Sequence, residues 1–350
     1  MKSCIKIFTV FLIAGMLIFS FTACSPEVLG GKVETVKIGV ALYRKEDTFV
    51  ASISDYIEKY AKEKESETGK KIVVNIVDSQ SNQVIQNDQV DSFISQNYDV
   101  ICVNMVDRTA AAVIVDKAKA ADIPVILFNR ELVEEDVKRW DNAYYVGADA
   151  DQSGRYQGEI IADTYKKNPS LVDKNGDGKI QYVMLEGEQG HQDALLRTEY
   201  AIKAVTNAGI KVEKLANDSA NWQRGQGASK MTPWIKTFGD KIEVVFCNND
   251  DMALGAIDAI KSSKVKINPL VIGIDATKEG INAVQEGSMF ATVFNDAQAQ
   301  AKSIFDLCYA LINGEDPRKT MQIKDGHYIR IPYHKVNKDN ADDILNYLKK

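Results

Sequence analysis

The stretch VKIGVALYRKEDTFVASISDYIEKYAKEKESETGKKIVVNIVD (36–78) decides the fold. VKIGVAL (36–42) and IVVNIVD (72–78) are nearly continuous apolar runs, and the segment from about 48 to 67 between them has amphipathic helical spacing. Val/Ile runs without polar alternation belong to parallel strands covered on both faces. The unit is therefore β-α-β. The scheme continues with DVICVNM (99–105) and IPVILFN (123–129), and repeats in QYVMLEG (181–187), IKVEKLA (210–216), IEVVFCN (242–248), PLVIGID (269–275) and FATVFND (290–296). Two successive series predict an α/β protein with two doubly wound parallel-sheet lobes, in keeping with a 350-residue chain. No Gly-rich linker divides them, so strand-like crossings are expected near 122–126, 294–298 and 331–333.

The composition excludes several classes. A formal net charge of -6 makes nucleic-acid binding a poor fit, since that requires a basic patch. Neither a GxGxxG fingerprint nor a P-loop is present, which argues against nucleotide-dependent chemistry. The five cysteines are scattered and lack metal-ligand spacing. Cys102, Cys247 and Cys308 fall in predicted strands or a helix, as small buried thiols do. At the N-terminus, Lys2 and Lys6 precede the uncharged run IFTVFLIAGMLIFSFTA (7–23), which meets Cys24 and then Ser25-Pro26. That order reads as a secretory signal, a transmembrane anchor being the other reading of such a run, and its end resembles a bacterial lipobox with Cys24 lipidated.

In open α/β sheets ligands bind beyond the carboxyl ends of the strands. Those positions carry Asp47 and Phe49 after the first strand and Asn104 after the third. In the second half they carry His191, Asp193 and Arg197, then Trp222, Asn249, Asp275 and Asn295. Singly, each has an ordinary role as turn, cap or core residue. Together they suit a pyranose, whose C–H faces stack on aromatic rings and whose hydroxyls donate and accept. An enzyme acting on a hexose through Asp47, Asp193 or Asp275 is the rival reading, since glycoside hydrolysis needs two carboxylates.

The segments ALYRKEDTFV (41–50), VNMVDRTAAAVI (103–114), EGEQGHQDALLRT (186–198), NDSANW (217–222), IEVVFCNNDDMALGA (242–256), IGIDA (272–276) and TVFNDAQAQAK (292–302) resemble the glucose/galactose-binding proteins of bacterial uptake systems, over about 36 to 340. The resemblance implies a type I periplasmic-binding-protein fold with a three-segment hinge. Its expected parts are a signal peptide at 1–24, an N-terminal lobe of 33–123 and 297–331, and a C-terminal lobe of 124–296 and 332–350. It implies that Phe49 and Trp222 sandwich D-glucose or D-galactose, while Asp47, Asn104, His191, Asp193, Arg197, Asn249, Asp275 and Asn295 hydrogen-bond it. The lobes would close about the hinge, and the monomer would deliver sugar to the membrane permease of an ABC importer, with a chemoreceptor as a further partner. The expected place is the outer face of a bacterial membrane, with the protein held there by lipid.

DKNGDGKIQ (173–181) opens like an EF-hand loop, with Asp173, Asn175, Asp177, the Lys179 carbonyl and Gln181 at alternate positions and Gly178 at the sharp turn. The twelfth position, where an EF-hand has its bidentate glutamate, is Met184; a polar turn without metal is the other reading of such a run. The family resemblance implies a structural Ca²⁺ completed by Glu243.

Overall fold

The structure is a computed structural model in which residues 35–349 are described; the signal segment 1–24 and Cys24 lie outside them. The first sheet holds β1 (Thr35–Leu42), β2 (Lys71–Asp78), β3 (Val100–Val103), β4 (Val125–Phe128), β5 (Ala143–Gly147) and, late in the chain, β11 (Tyr328–Arg330). Their order is β11-β5-β4-β3-β1-β2, with every pairing parallel. The second sheet holds β6 (Lys179–Glu186), β7 (Lys211–Ser219), β8 (Val244–Cys247) and β9 (Leu270–Ile272), in the parallel order β7-β6-β8-β9. A small antiparallel pair, β10 (Thr292–Phe294) with β12 (His334–Val336), stands at the hinge side.

Each sheet is sandwiched. Helices Thr48–Thr68 and Ala297–Ile312 cover one face of the first through Ile53, Ile57, Ile304 and Leu307, all fully buried. Helices Gln83–Ser95 and Ala111–Ala120 cover the other through Val90, Phe93, Ile114 and Val115. At roughly 25 cal/mol per Å² of apolar surface removed from water, such double coverage is what drives each lobe to fold. It also explains why the strands read as unbroken apolar runs.

One boundary is corrected. The expected crossing near 122–126 is β4, whose four residues are 0% exposed and pair with β3 on one side and β5 on the other. A hinge strand could not be covered on every side. The first lobe therefore continues to Gly147, and residues 124–147 belong to it rather than to the second lobe. The other crossings fall after Phe294 and after Arg330. Helix Ala297–Ile312 packs in the first lobe's core, while β12 and helix Ala341–Leu348 return to the second.

The strand orders fix where a ligand can sit. In each sheet the chain first moves outward (β1 to β2, β6 to β7), then returns to the opposite side of the starting strand (β3, β8). The connections leaving β1 and β3, and β6 and β8, diverge at these switch points and leave a crevice beyond the strand ends.

Candidate functional site

The two crevices face each other. Tyr43, Asp47, Phe49, Asn129 and Arg130 from the first lobe meet His191, Asp193, Arg197, Trp222, Asn249 and Asp275 from the second around a cavity with about 340 Å³ of space, part of it open to solvent. Eight of the ten residues expected from the sequence line it; Asn104 and Asn295 stand directly behind its wall.

On the first lobe, Asp47 caps the helix Thr48–Thr68 by accepting from Val50 N at 3.0 Å, and it also accepts from the Tyr43 hydroxyl. Its cap role and its place in the cleft are one geometry. Asn104, fully buried, donates through Nδ2 to Phe128 O and to Asn129 Oδ1, both at 3.1 Å. Its Oδ1 has no hydrogen-bond partner among the described residues.

On the second lobe, His191 caps helix Gln192–Asn207, and its Nδ1 accepts from Asp193 N at 3.1 Å. Burial, then the Arg130 and Arg197 charges, holds its pKa well below the usual histidine value. The ring is therefore neutral with its proton on Nε2, a donor for a ligand oxygen, and its 3.8 Å approach to Asp193 is not an ion pair. Arg197 donates to Asn248 O at 2.8 Å and Tyr333 Oη at 3.0 Å, and lies 3.4 Å from Asp193 and 3.9 Å from Asp275. Burial raises the pKa of both carboxyls, and Arg197 opposes it. Asp275 also accepts from Asn295 Nδ2 at 3.2 Å, and Gln300 Nε2 fixes Asn295 at 2.7 Å.

Backbone strain gathers here. Asn129, Asn221, Trp222, Asp275 and Ala276 all have positive φ, from 49° to 116°. Left-handed backbone at non-glycine residues costs of order 1–3 kcal/mol each and persists where the surroundings over-determine it. Trp222 is held in that turn by Asn249 Nδ2, which donates to its carbonyl at 3.2 Å, and its indole meets the His191 ring edge-on at 5.1 Å.

Tyr43, Asn129 and Arg130 were not picked out in the sequence, and Tyr333 was read only as part of the crossing 331–333. Asn129 and Arg130 directly follow IPVILF, so reading that run as a crossing removed its carboxyl end from the search. Tyr333 follows Ile331-Pro332, and only the return of the chain to the second lobe brings its hydroxyl to Arg197.

The loop 173–181 lies at the far end of the second sheet. Both oxygens of fully buried Glu243 accept loop amides, Lys174 N at 2.7 Å and Gln181 N at 2.8 Å, so the distant glutamate does reach the loop. Asp173 accepts from Gly176 N and Gly178 N, and Asp177 from Lys179 N and the Gln181 amide. Every side-chain donor here can offer oxygen, as a hard cation requires. Among the described residues, however, no group of three His, Cys, Asp or Glu is gathered closely enough to hold a metal. The donor chemistry fits Ca²⁺, while the carboxylates are turned to backbone amides.

Two parallel α/β lobes closing on a polar, aromatic-lined cavity define a solute-binding protein. The chain belongs to the periplasmic binding protein family: residues 38–316 match the family described as "Periplasmic binding protein domain". It is 39% identical over 312 residues (88% of this chain, 92% of the relative) to the D-galactose/methyl-galactoside-binding periplasmic protein of Haemophilus influenzae. It is 32% identical over 313 residues (89% and 92%) to a putative rhizopine-binding protein of Rhizobium meliloti. Among solved structures, an ABC-transporter solute-binding protein of Bacillus halodurans with bound myo-inositol superposes with a TM-score of 0.73 at 28% identity, covering 90% of this chain and 99% of that one. The protein is thus an extracytoplasmic sugar-binding component of ABC transport and not an enzyme. No helix of the described residues is long and apolar enough to cross a membrane.

Proposed function

We propose that this protein captures D-glucose and D-galactose outside the cell and delivers them to an ABC permease, closing its lobes about the sugar. The observation that carries the reading is the composition of the closed cavity. Neutral His191, Arg197 set between Asp193 and Asp275, and the aromatic pair Phe49 and Trp222 line one narrow space between the lobes. Buried Arg197 Nε, a donor in the cavity lining without a partner among the described residues, is what a sugar hydroxyl would satisfy. Asp47, with two acceptor oxygens, would meet the hydroxyl that differs between the epimers. The 39% identity to a galactose-binding relative supports the same choice.

Calorimetry of the mature chain against a pyranose panel tests this. Heat with glucose and galactose and none with ribose is expected; strong pentose binding without hexose binding would overturn it. Lipidation at Cys24 would anchor the protein by hydrocarbon burial, about 0.8 kcal/mol per CH₂. A fatty-acid probe should label the wild type in cells and not Cys24→Ala.

A further inference from the structure

We propose that the Arg130–Glu188 ion pair is a gate that caps the sugar cavity and limits the ligand to a single sugar unit. This rests on the sugar-binding reading above.

Arg130 lies on the first lobe and Glu188 on the second, so their 2.6 Å bond exists only when the lobes are closed. The guanidinium is anchored from three directions. Nη1 donates to Val106 O at 2.8 Å, Cζ lies over the Tyr43 ring 3.7 Å from its centroid, and Nη2 donates to Glu188 Oε2. Only 4% of the Arg130 side chain is exposed, against 37% of Glu188. The arginine is a fixed post and the glutamate a bar that can swing.

Arg130 and His191 line the sugar cavity on one side and a second, outer pocket on the other. That outer pocket has about 760 Å³ of space, part of it open to solvent, and its walls include Arg108, Glu131, Gln189 and Gln192. Its buried Arg130 Nε and Gln192 Oε1 have no partner among the described residues, one a donor and one an acceptor. This is the chemistry of a second polyhydroxylated unit. On the same measure the inner pocket has less than half the space of the outer one, about 340 Å³ against about 760 Å³, so the second unit of a disaccharide could be housed only by running past Arg130 with the Glu188 bond broken. Breaking it leaves a buried arginine unpaired, a penalty the monosaccharide never meets.

The test is calorimetric titration of glucose, galactose and a panel of glucose-containing disaccharides of different linkage. Wild type, Glu188→Gln and Glu188→Ala are compared, with thermal melts to confirm folding. Wild type should prefer monosaccharide to every disaccharide by about 100-fold or more, and Glu188→Ala should cut that preference at least about tenfold for one linkage, as expected when a repulsive element is removed. Glu188→Gln, which keeps the bulk and weakens the bond, should fall between. Monosaccharide affinity should drop only a few-fold in Glu188→Ala. Equal selectivity in all three proteins, or disaccharide binding by wild type as tight as monosaccharide binding, would overturn the gate while leaving the sugar-binding reading intact. Failure of wild type to bind any monosaccharide would overturn both.

Discussion

Gly187 shows how closely one residue can be tied to the site. A Cβ built there would lie 2.1 Å from the Trp222 indole, so the absence of a side chain is what seats the ring. Gly187→Ala must push the indole toward the cavity. Hexose affinity should fall about tenfold or more, comparable to losing an aromatic stack, with a smaller change in melting temperature. Titration and tryptophan fluorescence read the two effects. Asp250 is the opposite case, a buried carboxyl that supports the site from behind. It meets Thr292 Oγ1 at 2.6 Å and Thr277 N at 2.8 Å, and burial pushes its pKa up to about 7. Because the folded value is above the unfolded one, the native state holds the extra proton between about pH 4 and 7. The contribution is fully present below about pH 4 and lost as pH rises to 7, a span of about 4 kcal/mol. Asp250→Asn keeps the hydrogen bonds without the titration. Relative to wild type it should gain stability on going from pH 5 to pH 8, measured by denaturant melts; parallel pH profiles would exclude an elevated pKa.

Among the elements, the loop 173–181 and strand β8 illustrate how a local motif waits on a distant partner. Glu243 lies just before β8, which pairs with β6 beside the loop, and this adjacency brings a carboxylate to amides about 60 residues earlier. If Ca²⁺ draws Asp173, Asn175, Asp177, the Lys179 carbonyl, Gln181 and Glu243 together, a thousandfold excess over Kd should add about 4 kcal/mol to stability. Glu243→Gln should remove most of that gain, and hexose affinity should change little in either protein, since no cavity residue lies in the loop. Thermal melts with chelator and with Ca²⁺ decide it. Curves unaffected by Ca²⁺ would leave the loop as a polar turn held by its own amides.

For the whole molecule, the relevant contacts are those that cross between lobes. Thr48 Oγ1 donates to Asp251 at 2.7 Å, Arg44 to Asn221 O at 3.4 Å, and Arg130 to Glu188. The first is solvent-exposed and the second partly exposed, each worth about 1 kcal/mol or less, so without a ligand the cleft is held shut by little besides the Arg130–Glu188 pair. Three strand crossings permit rotation, and the sugar would supply the differential affinity that favours closure. Small-angle scattering should show a smaller radius of gyration with saturating glucose than without it. An unchanged radius would rule out ligand-driven closure.

The alternation of apolar runs and amphipathic segments determined by itself the α/β class, the two lobes and the strands that end at the site. Burial on both faces of a parallel sheet leaves a mark in every strand, and the residues that line the cavity follow the ends of those strands. That is why Asp47, Phe49, His191, Asp193, Arg197, Trp222, Asn249 and Asp275 were legible before any coordinates. Which lobe a strand joins was not: IPVILF carries the same apolar signature in either sheet, and only its pairing with β3 and β5 assigns it. Tertiary structure alone also decided Arg130 and Tyr333, and set Asn104 and Asn295 one layer behind the wall. A side chain's position across a cleft depends on contacts between segments far apart in the chain, and local pattern carries no record of those.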